Sequence, residues 1–389
     1  MTILTELEAQ SEELAAWRHE FHQHPEIGVD LPWTMARVAE MLRSWGIDVT
    51  EGVGHSGVVG VIRGTLGEGR TIALRSDMDA LPIEEQGEHV WKSLNAGAMH
   101  ACGHDGHMTQ LLGAARWLAQ HRDFRGTVLV IFQPGEEGAD GANEMLRDGL
   151  FERFPWDEIY GMHNWTDVPV GEVTCRQGST MAGQDFFSIR LKGRGAHGSA
   201  PQLSADPTLA AALVTAALQQ VVSRNVSPLD VAVVSVTRIR AGTACNVIPE
   251  EAELGGCTRF FTDEIGDLLR RRIEEVAKNT AAGCGVTAEV TFTPIAAVLV
   301  SDDKLAEALR QAAEEVLGVG HAKYAERPQM ASEDFSYLVR KAPGAYCFLG
   351  GQSPDGAHNL HNPKFDYDDR VLAKGAAILA TVALRRLAV

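Results

Sequence analysis

The spacing of apolar residues alternates between two patterns over positions 1–183. Helical spacing predicts helices over Leu4–Phe21, Trp33–Trp45 and Asp105–His121. Short apolar runs between these segments predict strands over Gly57–Arg63, Arg70–Ser76, Gly126–Phe132 and Asp157–His163. Strands that alternate with helices in this way are typical of a largely parallel sheet covered by helices on both faces.

The pattern changes after about position 183, where two strands follow one another without an intervening helix. The predicted order is β-α-β-β-α-β, which is a split βαβ unit of about a hundred residues and a small domain in its own right. Its elements are Gln184–Lys192, Asp206–Val222, Val231–Arg240, Glu250–Phe260, Thr262–Ala281 and Val286–Thr293. Helix–strand alternation then resumes with Asp303–Leu317, Ala345–Gly350 and Asp369–Leu387. We therefore expect one α/β domain over residues 1–183 and 295–389, interrupted by an inserted domain over 184–294.

Composition and net charge limit which kinds of molecule the protein is expected to bind. The chain has 389 residues, is 45% apolar and carries a formal net charge of −17, which argues against nucleic acid because a polyphosphate needs a basic face. The longest apolar run, Leu209–Leu218, is too short to span a bilayer, and the acidic amino terminus does not resemble a secretory signal. The six cysteines are widely separated and form no CxxC pair. We expect a soluble cytoplasmic protein in a reducing compartment.

Residues that commonly bind metals are concentrated in a few segments that follow predicted strands or lie in loops. They are DMDALP (77–82), MHACGHDGH (99–107), QPGEEG (133–138), GMHNW (161–165) and HNLHNP (358–363). Loops beyond the carboxyl ends of strands converge in open α/β sheets. Cys102 and His104 share a tight CGH turn, and Glu137, His163 and His361 would complete a nitrogen, oxygen and sulfur donor set. Such a set suits zinc, manganese, cobalt or nickel better than magnesium or calcium.

Other histidines have no such context. A group of five is expected to be solvated or structural, and its members are His19, His55, His89, His121 and His321. His22 and His24, in HQHPE, fit either the wall of a site or a helix terminus.

These motifs resemble the aminoacylase/carboxypeptidase family of co-catalytic metallopeptidases, in the branch of hippurate hydrolases and indoleacetyl-amino acid amidohydrolases. The resemblance begins at RHEFHQHPEIG (18–28) and continues through the segments above, GRGAHGSAP (193–201) and NVIPEEAELGGCTR (246–259). It ends with ASEDFSYL (331–338), GAYCFLG (344–350) and LHNPKFDYDD (360–369). It implies an α/β, zinc-exopeptidase-like catalytic domain with a mostly parallel sheet, and an inserted ferredoxin-like domain that serves as lid and dimerisation unit.

The resemblance also implies a chemistry, the hydrolysis of the amide bond of a small N-acyl amino acid with two divalent metal ions. The implied ligands are Cys102, His104, Glu137, His163 and His361. Glu136 would be the general base that takes a proton from water and delivers it to the leaving nitrogen. Asp79 would orient a ligand imidazole, and His197 would stabilise the oxyanion from across a homodimer interface. Asn246 and Arg259 would contact the substrate carboxylate.

Several alternatives stay open at this point. Asp77 stands where other members of the family have a histidine ligand, which leaves its role undecided. His197 could be a turn histidine in a glycine-rich loop, and Arg259 could form a structural ion pair. Cys102 could be the nucleophile of a thiol amidase with His104 as its base, although this would give GEE, GMHNW and LHNP no role. A non-catalytic metal-binding module is the remaining possibility.

Overall fold

The computed structural model describes residues 2–353, 356 and 358–388. The chain packs into two compact units. Unit 1 comprises Met1–Thr180, Val300–Pro328 and Asp334–Val389, and unit 2 comprises Met181–Leu299 and Gln329–Glu333. None of the helices in the described ranges is both long enough and apolar enough to cross a membrane.

The secondary structure alternates between helices and strands in unit 1. The α-helices of both units, among the described residues, are α1 (Ile3–Glu8), α2 (Ser11–Gln23), α3 (Pro32–Ser44), α4 (His104–Gln120), α5 (Gly141–Arg147), α6 (Leu150–Arg153), α7 (Pro207–Asn225), α8 (Asp263–Gly283), α9 (Asp303–Leu317), α10 (Phe335–Leu338) and α11 (Leu372–Leu387). The strands are β1 (Asp48–Val53), β2 (Gly57–Arg63), β3 (Thr71–Asp77), β4 (Thr127–Gln133), β5 (Glu158–Trp165), β6 (Val173–Cys175), β7 (Gly178–Met181), β8 (Gly183–Lys192), β9 (Ala196–His197), β10 (Ala232–Ala241), β11 (Val247–Ile248), β12 (Glu251–Phe260), β13 (Thr287–Ala296), β14 (Leu299–Ser301), β15 (Ala322–Tyr324) and β16 (Gly344–Gly350).

Unit 1 is built on an eight-stranded sheet in the order β1-β2-β4-β3-β5-β16-β6-β15. Its central strands β4, β3, β5 and β16 run parallel to one another. Antiparallel pairing is confined to the flanking strands, at β1–β2, β2–β4 and β16–β6. The central strands are almost completely buried, as apolar runs in a sheet covered on both faces must be. The predicted α/β class with a large sheet flanked by helices is confirmed.

Unit 2 contains a four-stranded sheet in the order β10-β12-β8-β13, with every neighbouring pair antiparallel. Apolar side chains of β8 and β12 form a core with helices α7 and α8. Along β13, half-buried and exposed residues alternate, as expected for a sheet with one face covered. The β-α-β-β-α-β succession of elements is the one that the sequence pattern predicts.

Two local predictions were wrong or incomplete. The single helix expected over Leu4–Phe21 is two helices, α1 and α2. The break falls where the Ser11 hydroxyl donates a hydrogen bond to the Glu8 carbonyl (2.7 Å), which offers the backbone an alternative to a continuous helix. Strand β1 was not predicted, because five of its six residues are exposed or half-buried and only Val53 is buried.

Candidate metal centre

Three neighbouring parallel strands bring the candidate segments to one edge of the unit 1 sheet. Strand β3 ends at Asp77, and β4 ends opposite it at Gln133. Only Pro134 separates Gln133 from the GEE segment, residues 135–137. Strand β5 contributes His163 within its last three residues. Because the carboxyl ends of parallel strands lie at the same edge of the sheet, the carboxylates and imidazoles of these segments converge there.

The thiol of Cys102 lies between two imidazoles. Its Sγ atom is 3.4 Å from His163 Nε2 and 3.4 Å from His361 Nε2. His361 Nε2 is also 3.3 Å from Glu137 Oε1, and His104 Nε2 is 3.9 Å from the same oxygen. The five residues predicted as metal ligands therefore form overlapping groups whose donor atoms are within 4.8 Å of one another.

Backbone geometry at two positions allows this convergence. Gly103, which precedes α4, has a φ of 91°, and a Cβ atom there would lie 2.7 Å from Asn164 Oδ1. Glycine is therefore required for the turn that places His104 at the first position of α4. His361 also has a positive φ, of 64°, and its amide donates to the Ala101 carbonyl at 2.8 Å. Left-handed backbone at a residue other than glycine is uncommon and often occurs at functional sites.

The carboxylates around Cys102 and His104 disfavour a thiolate at Cys102 and favour a protonated ring at His104. Burial, followed by the carboxylates of Glu137, Glu136 and Asp77, raises the pKa of the Cys102 thiol well above its usual range. Burial alone would lower the pKa of His104, but the surrounding carboxylates of Asp77, Asp79 and Glu137 raise it to about 10. A bound divalent cation would reverse this balance, since it favours the thiolate of Cys102 and the neutral imidazole of His104.

The donor atoms also fit a metal because several of them are buried and poorly satisfied. Both ring nitrogens of His104 and the Oε1 atom of Glu137 contact neighbouring side chains at 3.3–3.9 Å, but none of these contacts within the described ranges has hydrogen-bond geometry. Burial lowers the pKa of His163 well below its usual value and keeps its ring neutral, which is the form that binds metals. Thiolate, imidazole and carboxylate donors together select transition metals rather than magnesium or calcium.

Asp79 holds the loop that carries the paired glutamates. Its two carboxylate oxygens accept hydrogen bonds from the backbone amides of Glu136 (3.0 Å) and Glu137 (2.9 Å). Its Oδ1 atom is also 3.4 Å from His104 Nδ1. Besides the predicted contact with an imidazole, Asp79 therefore also positions the backbone of the GEE segment.

Asp77, whose role the sequence leaves undecided, contacts buried residues outside the proposed ligand set. Its Oδ2 accepts from Arg75 Nη1 at 2.9 Å, and its Oδ1 is 2.7 Å from Nδ1 of His107. Arg75 also donates to Asp334 Oδ1 at 3.0 Å, and Asp334 accepts from the amide of Ala142 at 2.9 Å. These buried residues brace the ends of β3 and β4. The ASEDFSYL motif was the available signal for Asp334.

Unit 2 brings two of its three candidate residues together. Strands β9 and β11 pair His197 with Val247, and the amide of Gly198 donates to the carbonyl of Asn246 at 2.8 Å. Arg259 lies on β12, and its guanidinium donates to the backbone carbonyls of Met330 (3.2 Å) and Thr258 (2.9 Å). Within the part of the chain that the structure describes, the guanidinium of Arg259 therefore contacts backbone carbonyls and pairs with no carboxylate.

A buried thiol, imidazoles and carboxylates beyond the carboxyl ends of parallel strands define an α/β metalloprotein. Comparisons with known proteins specify the family. A model described as peptidase family M20/M25/M40 matches residues 73–385. Hippurate hydrolase of Campylobacter jejuni is 38% identical over 387 residues, with 100% of each chain covered. The chain therefore belongs to peptidase family M20/M25/M40, which confirms the resemblance seen in the motifs.

Two further similarities agree with this assignment. IAA-amino acid hydrolase ILR1-like 2 of Arabidopsis thaliana is 39% identical over 389 residues, covering 97% of this chain and 87% of its own. The solved structure of the Bacillus subtilis YXEP protein, described as a dinuclear metal binding peptidase from the M20 family, has a TM-score of 0.85. It is 33% identical, and the match covers 98% of this chain and 99% of that one.

Proposed function

We propose that this protein is a binuclear metal-dependent amidohydrolase that cleaves the amide bond of N-acyl amino acids. The products are a carboxylic acid and a free amino acid. The observation that carries the proposal is the GEE segment, in which Glu137 joins the buried donor set while the adjacent Glu136 has its backbone fixed by Asp79. The similarity to a hippurate hydrolase and to an IAA-amino acid hydrolase supports the reaction class.

The ligands in this proposal are those predicted from the resemblance, namely Cys102, His104, Glu137, His163 and His361. Zinc, manganese, cobalt or nickel suits their mixture of sulfur, nitrogen and oxygen donors. When bound, two such ions supply Lewis acidity that acidifies water and polarises the scissile carbonyl. Cys102 is a ligand rather than a nucleophile in this scheme, since its Sγ atom lies 3.4 Å from the Nε2 atoms of both His163 and His361, two other members of the proposed ligand set.

Glu136 carries a proton from the attacking water to the leaving nitrogen in this proposal. Its carboxylate accepts a proton from the attacking water, and it then gives that proton to the leaving nitrogen when the carbon–nitrogen bond breaks. One carboxylate oxygen from each of Glu136 and Glu137 and a ring nitrogen of His104 lie within 4.8 Å of one another, so Glu137 can bind the metal while Glu136 carries the proton beside it. Asp79 keeps both backbone amides in place during these steps.

His197 supplies a hydrogen bond to the developing oxyanion in this proposal. The backbone N–H of Ser199 donates to His197 Nδ1 at 3.1 Å, so Nδ1 is an acceptor and the neutral ring carries its proton on Nε2. His197 is exposed, and its Nε2–H is then available as a donor. We assign His197 to the site of the partner subunit in a cytoplasmic homodimer formed through the inserted domain, with Asn246 and Arg259 near the substrate carboxylate.

Substrate hydrolysis after metal removal tests the reaction class. The protein is dialysed against a chelator, reconstituted separately with zinc, manganese, cobalt and nickel, and assayed on N-acetyl, N-benzoyl and indoleacetyl amino acids. We expect activity to disappear with the metal and to return on reconstitution. Full activity in metal-free protein would support the Cys102 thiol amidase instead. If metal-loaded protein hydrolysed no N-acyl amino acid, the protein would instead be a non-catalytic metal-binding module.

Complementation tests the shared site. His197→Ala and Glu136→Ala homodimers should each be nearly inactive, but heterodimers of the two variants contain one site with both residues intact. Activity should therefore reappear after the variants are mixed and reassembled. If a sample shown to contain heterodimers remains inactive, His197 serves its own subunit or has no catalytic part.

A further inference from the structure

A second group of potential metal donors lies in unit 1, away from the proposed ligands. His22 is on α2, and Glu85 and His89 are in the segment between β3 and α4. The side chains of His22 and Glu85 are 1% exposed and that of His89 is 13% exposed. One donor atom from each residue lies within 4.8 Å of the other two. The sequence alone predicts a solvated or structural role for His89.

The imidazole of His22 is oriented in the way that metal-binding histidines usually are. Its Nδ1 is 2.8 Å from Asp105 Oδ2, so the carboxylate fixes the ring and directs Nε2 towards Glu85, whose Oε1 is 3.3 Å away. A carboxylate on the far nitrogen is the common arrangement behind a histidine ligand. Glu85 is fixed as well, because its Oε2 accepts from the amide of Ser93 at 2.7 Å.

His89 completes the group from the other side. Its Nε2 is 2.7 Å from Glu85 Oε1. The contact lacks the alignment of an N–H···O bond, and this buried nitrogen has no hydrogen-bond partner among the described residues. A buried nitrogen whose contact with a carboxylate is misaligned is only partly satisfied, and a cation between the three side chains would give it a well-directed partner. A cavity of about 420 Å³ is lined in part by His89 and offers a path of entry.

We propose that His22, Glu85 and His89 bind a third divalent metal ion, separate from the two ions of the amidohydrolase centre. Two imidazoles and one carboxylate are a donor set for zinc or a similar transition metal, with a fourth position left for water. The site joins α2, the segment that carries Cys102, and the first turn of α4, where Asp105 follows His104. Its role is to clamp these three elements together.

Protons compete with the metal for this site. Burial alone would lower the pKa of His22, but Asp105 and Glu85 raise it to about 9. Burial would raise the pKa of Glu85, but the neighbouring imidazoles hold it at about 2. An ion pair between a protonated His22 and the two carboxylates is therefore the competing explanation of the cluster, and it requires no metal.

Metal stoichiometry decides between the two explanations. Wild-type protein and variants are equilibrated with zinc, dialysed identically and analysed by native and elemental mass spectrometry. We expect three zinc ions per wild-type chain and two per His89→Gln chain, with circular dichroism reporting that the variant is folded. Glu85→Gln should lose the same ion. His89→Cys, which keeps a ligand atom at this position, should retain three.

His19→Gln is the matched control. His19 also stacks on Trp91, at 3.7 Å between ring centroids compared with 5.1 Å for His89, but it is not part of the cluster, so this variant should keep three ions. Equal zinc content in wild type and His89→Gln would overturn the proposal, and so would loss of one ion from His19→Gln. The readout does not depend on turnover, so it separates this proposal from the proposed function.

Discussion

Replacement of Asp79 by asparagine tests how the GEE segment is held. Asp79 is 1% exposed, and each of its oxygens accepts one backbone amide, from Glu136 at 3.0 Å and from Glu137 at 2.9 Å. Asparagine has almost the same shape but only one acceptor oxygen. In Asp79→Asn one backbone N–H therefore faces the NH₂ group, and the other hydrogen bond loses its charge.

The expected loss can be estimated from these contacts. A hydrogen bond to a charged group contributes about 1.5–3 kcal/mol, and a buried donor left without an acceptor costs about 1–3 kcal/mol. Because these two quantities overlap, we expect unit 1 to lose about 2–4 kcal/mol of stability. Residues that position metal ligands typically change metal affinity by about 10–100-fold, and we expect a decrease of that size because Glu137 shifts.

Two measurements check this prediction, zinc affinity in competition with a chelator and the urea midpoint of the metal-free protein. Asp157→Asn is the matched control. Asp157 also accepts a backbone amide, from Thr71 at 2.7 Å, but it is exposed, so its loss should cost less than about 1 kcal/mol. If Asp79→Asn matched the wild type in both measurements, the GEE segment would not depend on Asp79 and our account of its positioning would be wrong.

Two other substitutions test separate parts of the structure. Cys102→Ser should lower metal affinity, because a hydroxyl is a harder and much less acidic donor than a thiol; unchanged metal content after dialysis with lost turnover would favour a nucleophilic Cys102. Glu158 is 3% exposed, and its carboxylate accepts hydrogen bonds from Arg386 (2.7 and 2.8 Å), Arg70 and Tyr160. Glu158→Gln should therefore lower the free energy of unfolding by about 2–3 kcal/mol at pH 7. This is less than the loss expected for a fully buried ion pair, because the arginines are partly exposed. Burial alone would raise the pKa of Glu158, but its partners lower the pKa overall from 4.5. The stabilisation is therefore complete above pH 4.5 and is lost as the pH falls through the lowered pKa. The urea midpoints of the wild type and Glu158→Gln should converge in acid, and a difference that stays constant with pH would contradict this role of Glu158.

The parts of the fold that sequence predicts well are those where burial dictates the residue pattern. Strand β4, TVLVIFQ, is almost wholly buried, and its apolar run reveals it directly. Strand β1, DVTEGV, pairs with β2 at the edge of the sheet and is mostly exposed. Its partner strand, rather than its own pattern, makes it a strand, so periodicity cannot detect it.

The candidate site was predictable to the extent that its donors occur in dense motifs. The segments that contain Glu137 and His163 follow or end strands, so topology alone brings them to one edge. Cys102 lies in the loop between β3 and α4, where the CGH motif was the signal. The bracing residues were not predictable in the same way. Arg75 and Asp334 are 259 positions apart in sequence, and nothing near either residue indicates that they meet in the folded protein. The cluster of His22 and His89 was missed for the same reason.

The central claim is that Glu136 is the general base of a metal-dependent amidohydrolase, and one substitution tests it most directly. Glu136→Gln preserves the size of the side chain but removes the proton acceptor. Metal content should equal that of the wild type, while kcat for an N-acyl amino acid should fall by about 100-fold or more, which is what general-base catalysis contributes. A metal-replete Glu136→Gln protein with a kcat close to that of the wild type would contradict the account.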